Sequence, residues 1–324
     1  MVEASTGYAG GPLVILYIIS YMLCGVLWAQ TCHYYGHYQS DPRPLKVFVG
    51  VLFVLETLST ALSVNSLYQY LVYDFGDGGR FGHIVWSFGA SVFVEADIYS
   101  MAQGYFIYRI WQLSQHNFVV TLVPAVLLFC RTAQVFLVAF MLTFEYSTWE
   151  QFISSRLSMI TSNCALGSGS LLDAMLTATL IYYLRQNRHF FEEKKGAFQT
   201  LMFYTINTGA TTVIVSFVVF FSLNFMPHGT LYSGFGVVLS ELYANSVLGL
   251  LNSRIRIKRQ ALSSELWSVA LDPPADCQNA VSQVGLRIRV LKTSEIQQIL
   301  LPTADIRLPV CARPSGVACP DSVV

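Results

Sequence analysis

Seven stretches of this chain are long and apolar enough to cross a bilayer, and its charged residues fall almost wholly in the gaps between them. A crossing helix needs about 20 mostly apolar residues to traverse a hydrocarbon core of about 30 Å. The stretches lie at 11–36, 45–72, 83–113, 118–144, 157–184, 198–225 and 230–252. Connections bearing Gly, Pro, Asp and Asn separate them, as at 40–44, 74–79 and 226–229, so neighbouring helices are expected to pack antiparallel. The chain is 54% hydrophobic and 12% charged, with a mean hydropathy of +0.50, whereas a soluble domain carries about 25% charged residues. The expected fold class is an all-α integral membrane protein, a seven-transmembrane helix bundle. A water-soluble globule is excluded.

Lys and Arg near helix ends set the orientation. With the N-terminus outside, the inner segments hold Arg43, Lys46, Arg109, Arg185, Arg188, Lys194, Lys195, Arg254, Arg256, Lys258 and Arg259, and the outer ones only Arg80 and Arg156. Eleven against two points to an N-out, C-in topology and to an odd number of crossings, because the basic cluster after the last helix must lie inside. The expected organisation is a short outer N-terminus at 1–10, a transmembrane domain at 11–254 and a cytoplasmic tail at 255–324. The first ten residues contain Glu3 and no Lys or Arg, so the first helix is expected to be a retained signal anchor rather than a cleaved leader. In the tail, 255–271 reads either as an amphipathic helix on the inner leaflet, with Leu262, Leu266, Trp267 and Val269 as its apolar contacts, or as a solvated segment. The alternation at 286–290 reads as a strand without a partner. Cys24, Cys32, Cys130 and Cys164 fall within crossings and Cys277, Cys311 and Cys319 in the tail, so no disulfide framework is expected.

An ionisable side chain at the bilayer centre costs roughly 2.5–3.5 kcal/mol on insertion scales, so each needs a partner, a cavity or a proton. Glu56, Glu95, Asp97, Arg131, Asp173 and Glu241 fall inside crossings. Most lie roughly 11–14 residues from a helix start, which at about 1.5 Å per residue puts them in one layer near the midplane, with Asp173 slightly to the cytoplasmic side. Only Arg131 is a cation, so it is expected to pair with one or two carboxylates, leaving the others protonated, hydrogen-bonded or solvated. Such an excess of acids suits proton or cation coupling, and it equally describes a static polar core. Glu95 and Asp97 are two residues apart, point about 200° from each other and cannot both face one site. Glu241, Asn245 and Asn252, with Gly249 between, share one face of the last helix. Asn in hydrocarbon is usually interhelical glue worth about 0.6–2 kcal/mol, so this stripe reads as a bundle-facing seam.

Signals for catalysis are weak. His33 and His37 have metal-ligand spacing, but the several histidine boxes of a membrane di-iron centre are missing, and no metal or other cofactor is expected. No Lys lies mid-crossing to hold retinal, and no Gly-x-Ser-x-Gly elbow, P-loop or dinucleotide fingerprint occurs, so an enzyme is not expected. A formal net charge of zero gives no reason to expect a nucleic-acid partner.

A set of short motifs carries a family resemblance. They are Gly11-Pro12-Leu13, Gly25 then Gln30 with Tyr34-Tyr35, Leu55-Glu56-Thr57, and Gln103 followed by Tyr108-Arg109-Ile110-Trp111. Downstream come Leu172-Asp173 with Tyr182-Tyr183-Leu184-Arg185, and Leu242-Tyr243-Ala244-Asn245-Ser246 ending in Leu251-Asn252-Ser253-Arg254. Over residues 11–254 the chain thereby resembles a seven-helix membrane family of basidiomycete fungi, classed as a domain of unknown function. The resemblance implies seven-helix topology and no particular activity. Glu241 stands where relatives commonly carry a basic residue, so charge chemistry at that position does not transfer.

Two functions follow as expectations. Receptor-like sensing suits the N-out start, the short outer loops and the basic inner loops; its partners would be the lipid bilayer, a small-molecule ligand and a cytoplasmic signalling protein, at the plasma membrane or an endomembrane. The rhodopsin-like signatures are missing: Ile107-Tyr108-Arg109-Ile110 stands where an acidic-Arg-Tyr motif would, and the last helix has no Asn-Pro-x-x-Tyr. The alternative is a small-solute or proton-coupled transporter using the midplane carboxylates. A cavity reaching the acids from one side favours the first; access from both sides favours the second.

Overall fold

The computed structural model describes the backbone of residues 2–73, 82–186, 195–225 and 231–271, and the side chains of 11–73, 82–186, 202–225 and 231–254. The chain divides into two units, Met1–Pro274 and Ala275–Val324; the second, with the strand expected at 286–290, lies outside the described residues. The helices are α1 (Val2–His37), α2 (Arg43–Tyr68), α3 (Trp86–Leu113), α4 (Phe118–Phe140), α5 (Trp149–Ser154), α6 (Arg156–Gln186), α7 (Lys195–Phe225) and α8 (Leu231–Leu271). Single π-helical turns prolong α2 over Gln69–Tyr73 and α4 over Met141–Glu145.

Each expected crossing is a helix, with three differences. α1 begins at Val2, ahead of the expected 11. The backbone of α8 runs on past Arg254 to Leu271, so 255–271 continues the last helix. The third is the count: six helices among the described residues are long and apolar enough to cross a membrane, not seven. The exception is α3, whose 28 residues are helical throughout but include Glu95, Asp97, Gln103 and Arg109 among serines and tyrosines. Its length, about 42 Å at about 1.5 Å per residue, matches the other crossings. Its composition does not.

Packing pairs fix the relative directions of the helices. Along α1 and α8, Leu16 meets Gly234, Leu23 meets Asn245 and Gln30 meets Asn252, so the two run parallel. Tyr99 with Gly236, then Gln103 with Tyr243, make α3 parallel to α8 as well. By contrast Trp28 packs on Phe53 while Tyr35 reaches the Lys46 carbonyl, so α1 and α2 are antiparallel. The same holds for α3 with α4, through Phe93–Phe136 and Ser100–Thr132, and for α6 with α7, through Asn163–Asn224 and Ser170–Ser216. Thus α1, α3, α6 and α8 point one way, and α2, α4 and α7 the other.

The outward surface is apolar, as lipid requires: Met22, Phe129, Phe203 and Phe225 are each more than 65% exposed. With no water in the bilayer core, polar groups must instead be satisfied between helices. At the C-terminal end of α1, Asp41 accepts from Tyr34 Oη at 2.9 Å and from Arg254 Nη2 at 2.6 Å, both ions being nearly buried. The Arg254 guanidinium also sits 4.5 Å from the centre of the Tyr38 ring, whose hydroxyl donates to the Asn252 carbonyl. Arg254 is therefore a structural tie between α8 and the α1–α2 turn, not a free inner-face cation. Arg109 is likewise buried in the bundle, whereas Arg185 is exposed at the end of α6. Arg188 and Lys194 lie outside the described residues, as do the side chains of Lys195, Arg256, Lys258 and Arg259.

The α1–α8 seam is close enough to demand glycine at one point. A Cβ built on Gly234 would sit 2.8 Å from Leu16 Cδ1 and 3.1 Å from Leu16 Cβ. Gly234→Val is expected to destabilise the bundle by about 1–3 kcal/mol, the usual cost of overpacking. Thermal unfolding of detergent-solubilised protein, followed by helical circular dichroism, measures this; an unchanged midpoint would mean that the helices part without cost.

Candidate ligand cavity

The interior is organised by the inward stripe of α3. Glu95, Tyr99 and Gln103 follow one another at four-residue spacing, which places them on one face of the helix. Tyr99 donates to the Gly236 carbonyl of α8 at 2.9 Å and faces Glu95 Oε2 at 3.4 Å. Gln103 donates through Nε2 to Asp173 Oδ1 of α6 at 2.7 Å and lies 3.2 Å from the Tyr243 hydroxyl of α8. Tyr243 in turn donates to Asp173 Oδ2. One buried carboxylate thus ties α3, α6 and α8 together.

Arg131 of α4 enters this network from the side. Among the described residues it forms no ion pair, against the expected direct pairing with a carboxylate. Its guanidinium lies 5.1 Å from the centre of the Tyr99 ring and 6.0 Å from that of Tyr243, with Asp173 beyond Tyr243 in electrostatic reach. Two aromatic faces take the place of a carboxylate, an interaction worth about 2 kcal/mol or more when desolvated. Room for the guanidinium comes from Gly169 on α6, where a Cβ would sit 2.7 Å from Arg131 Nε.

Of the expected polar layer, the structure joins Glu56, Glu95 and Glu241. Glu56, wholly buried, faces Ser240 Oγ at 3.4 Å and is within electrostatic reach of Glu241 and Glu95. Glu241 Oε1 accepts from Thr60 at 3.2 Å. Three other members separate from it. Asp97 is exposed on the outer side of α3, because a residue two positions from an inward Glu95 must turn outward. Asn245 donates to the Leu23 carbonyl at 3.1 Å and Asn252 to the Gln30 carbonyl at 2.9 Å, so both belong to the seam with α1 rather than to the acids.

A cavity of about 120 Å³ opens beside this network. Glu95 and Tyr99 of α3, Arg131 of α4 and Ser162 of α6 line its polar side. Its apolar lining includes Val92, Val135, Leu166, Leu223 and Val237, and Tyr232 and Ser233 of α8 also line it. All these positions lie in the halves of their helices nearest the α2–α3, α4–α6 and α7–α8 connections. The short helix α5 roofs that end, presenting Trp149 and Phe152 to the cavity. Thr148 caps α5 by accepting from the Gln151 amide, Ile84 N donates to the Ser147 carbonyl at 2.9 Å, and Trp149 Nε1 donates to the Tyr70 hydroxyl at 3.3 Å. The roof is pinned to the end of α2 and to the segment that leads into α3.

Buried polar atoms are nearly always hydrogen-bonded. Here Glu95 Oε1, Arg131 Nε and Nη1, and Ser162 Oγ have no hydrogen-bond partner among the described residues. Their residues are 5%, 4% and 7% exposed, and all three line the same cavity. Unpartnered polar atoms occur elsewhere too, as at Glu241, Asn245 and Asn252, but here three helices bring theirs to one cavity, which makes it the candidate site. Sequence reasoning had Glu95 and Arg131 but missed Tyr99, Ser162, Tyr243 and the roof. The four-residue stripe on α3 was a usable signal for Tyr99, whereas nothing in the sequence ties Ser162 to Arg131.

A family of unknown function (DUF6534) matches residues 169–256, the segment that includes Gly169, Asp173, Glu241, Tyr243 and Arg254. Neither a curated protein nor a solved structure matches the chain.

Because Tyr243 supplies a donor to a buried carboxylate, Tyr243→Phe is expected to lower stability by about 1–3 kcal/mol. The loss should shrink when Asp173 is already Asn, since an amide needs fewer donors. A double-mutant cycle in thermal unfolding tests the coupling; additive effects would show that the two groups do not interact.

Proposed function

We propose that this is a seven-helix, receptor-like membrane protein, N-terminus outside, that binds a small molecule in the cavity and reports its occupancy at the cytoplasmic end. The carrying observation is the cavity itself, whose lining residues Glu95, Arg131 and Ser162 carry buried polar atoms with no partner among the described residues. The seventh crossing is α3. Six alternating crossings would leave the first and last helices antiparallel, but α1 and α8 run parallel, which supports an odd number. Most of the polarity of α3 is turned toward α2, α4, α6 and α8, which pack around it and bury Glu95, Gln103 and Arg109; Asp97 is the charged residue it leaves exposed.

The N-out orientation draws on the basic bias. With Arg109 and Arg254 set aside as buried, nine inner cations remain against two outer ones. The cavity then faces outward beneath the α5 roof, while α8 joins it through Asn245 and Asn252 to the Arg254–Asp41 pair at the inner end. A shift of α8 on occupancy would be felt there by a cytoplasmic partner. We assign the chain no catalytic role, and place it at the plasma membrane or an endomembrane.

The grouping of Glu56, Glu95 and Glu241 favours a second reading, proton-coupled transport. Charge movement in proteoliposomes under an imposed pH gradient separates the two. The receptor reading expects no current from wild type, Glu241→Gln or Asp173→Asn, and saturable thermal stabilisation of the wild type by small amphipathic molecules. Filling the cavity by Val135→Phe should remove that stabilisation. A current abolished by the two acid substitutions would make this a transporter, and stabilisation that Val135→Phe leaves intact would place the ligand elsewhere.

A further inference from the structure

The cavity's size and walls restrict what fits. An apolar cavity of about 150 Å³ accommodates benzene, so 120 Å³ admits a body of roughly five heavy atoms. Valines and leucines surround most of it, under the rings of Trp149 and Phe152. The body of the ligand is therefore a compact hydrocarbon.

The polar wall specifies the head. Arg131 Nε and Nη1 are unused donors, and Ser162 Oγ can donate or accept. Glu95 Oε1 is an unused acceptor. A head that both accepts and donates satisfies both kinds of atom, as a hydroxyl does and a hydrocarbon cannot. Charge decides between a neutral and an ionised head. Asp173 is already within electrostatic reach of Arg131, and Glu95 is one of a group of acids with Glu56 and Glu241. A carboxylate head would add a further negative charge to a buried site already rich in acids. An ammonium head could face Glu95 Oε1, but it has no acceptor to offer the Arg131 donors and would sit beside a like charge.

We infer that the cavity takes a small neutral alcohol, a compact hydrocarbon body bearing one hydroxyl, with the hydroxyl set between Arg131, Ser162 and Glu95. This rests on the reading of the cavity as a ligand site. The hydroxyl oxygen accepts from Arg131 and its proton goes to Glu95 Oε1. Ser162 adds a second donor to the same oxygen. No bond is made or broken.

Four probes of one shape and different heads test the inference: cyclopentanol, cyclopentane, cyclopentylammonium and cyclopentanecarboxylate. Each is titrated against the purified full-length protein in detergent, with saturable thermal stabilisation as the readout and Val135→Phe as the blocked control. Cyclopentanol should bind at least about tenfold more tightly than each of the others. Ser162→Ala should weaken cyclopentanol by about 3–10-fold, the worth of one net hydrogen bond, and leave cyclopentane unchanged. A purely structural role for Ser162 would alter both probes equally and remove that part of the assignment. If cyclopentane or either ion equals cyclopentanol, the neutral-hydroxyl head is wrong while the cavity remains a ligand site. If no probe binds and the wider set of amphipathic molecules also fails to stabilise the wild type, the ligand-site reading falls with it.

Discussion

The stripe of α3 that carries Glu95, Tyr99, Gln103 and Arg109 is too polar to face lipid, and much of this architecture answers that constraint, with Asp97 alone of the charged residues of α3 left exposed. Each unsatisfied polar group in hydrocarbon costs several kcal/mol, so Glu95, Tyr99, Gln103 and Arg109 must be enclosed by other helices. The neighbours respond with matching chemistry. α6 brings Asp173 to Gln103, and α8 brings Tyr243 to both. α4 supplies Arg131, which would be as costly as the acids if it faced outward. Once α3 is central, the antiparallel runs of α2 and α4 and the parallel runs of α6 and α8 follow from the order in which the connected helices can reach it.

The same constraint explains why the polar residues of α8 serve different purposes along one helix. Asn245 and Asn252 cap the backbone carbonyls of Leu23 and Gln30, where α1 comes close. Tyr243, turned toward α3 and α6, completes the Asp173 network. Asparagine on a close seam and tyrosine across a wider gap reflect the reach of each side chain. The seam is tight at Gly234, which carries no side chain toward Leu16 of α1. α8 is consequently held on two sides by directional bonds, and a displacement at its cavity end must be accommodated along its length rather than absorbed locally.

The helix positions were legible because lipid imposes a long, simple apolar signal, and helical geometry alone said that Glu95 and Asp97 could not face one site, though not that Asp97 is the one turned outward. The pairing of Arg131 was not legible. Counting cations against anions suggested a salt bridge, whereas the chain uses the faces of Tyr99 and Tyr243, which carry no formal charge to count. Asp41 was equally hidden: in a Pro-bearing connection it reads as a turn residue, and only the fold brings Arg254, more than two hundred residues later, to within 2.6 Å of it. Ser162 and the α5 roof depend on contacts between helices that no periodicity within one helix records.

The location of the cavity bears on how such a bundle could respond. It occupies the half of the bundle opposite the Arg254–Asp41 pair, and its walls are drawn from five helices that run in both directions. Glu95, Arg131 and Ser162 carry unmet hydrogen-bonding capacity on three of those helices. A head group satisfying all three would draw α3, α4 and α6 toward a common point, and the gain would appear only in the arrangement where the three atoms converge. Differential stabilisation of this kind is what a ligand needs to shift a conformational equilibrium. A ligand that merely filled the apolar part would favour every arrangement with an intact cavity and shift little. The polar side of the cavity, rather than its volume, is therefore where sensing would be decided.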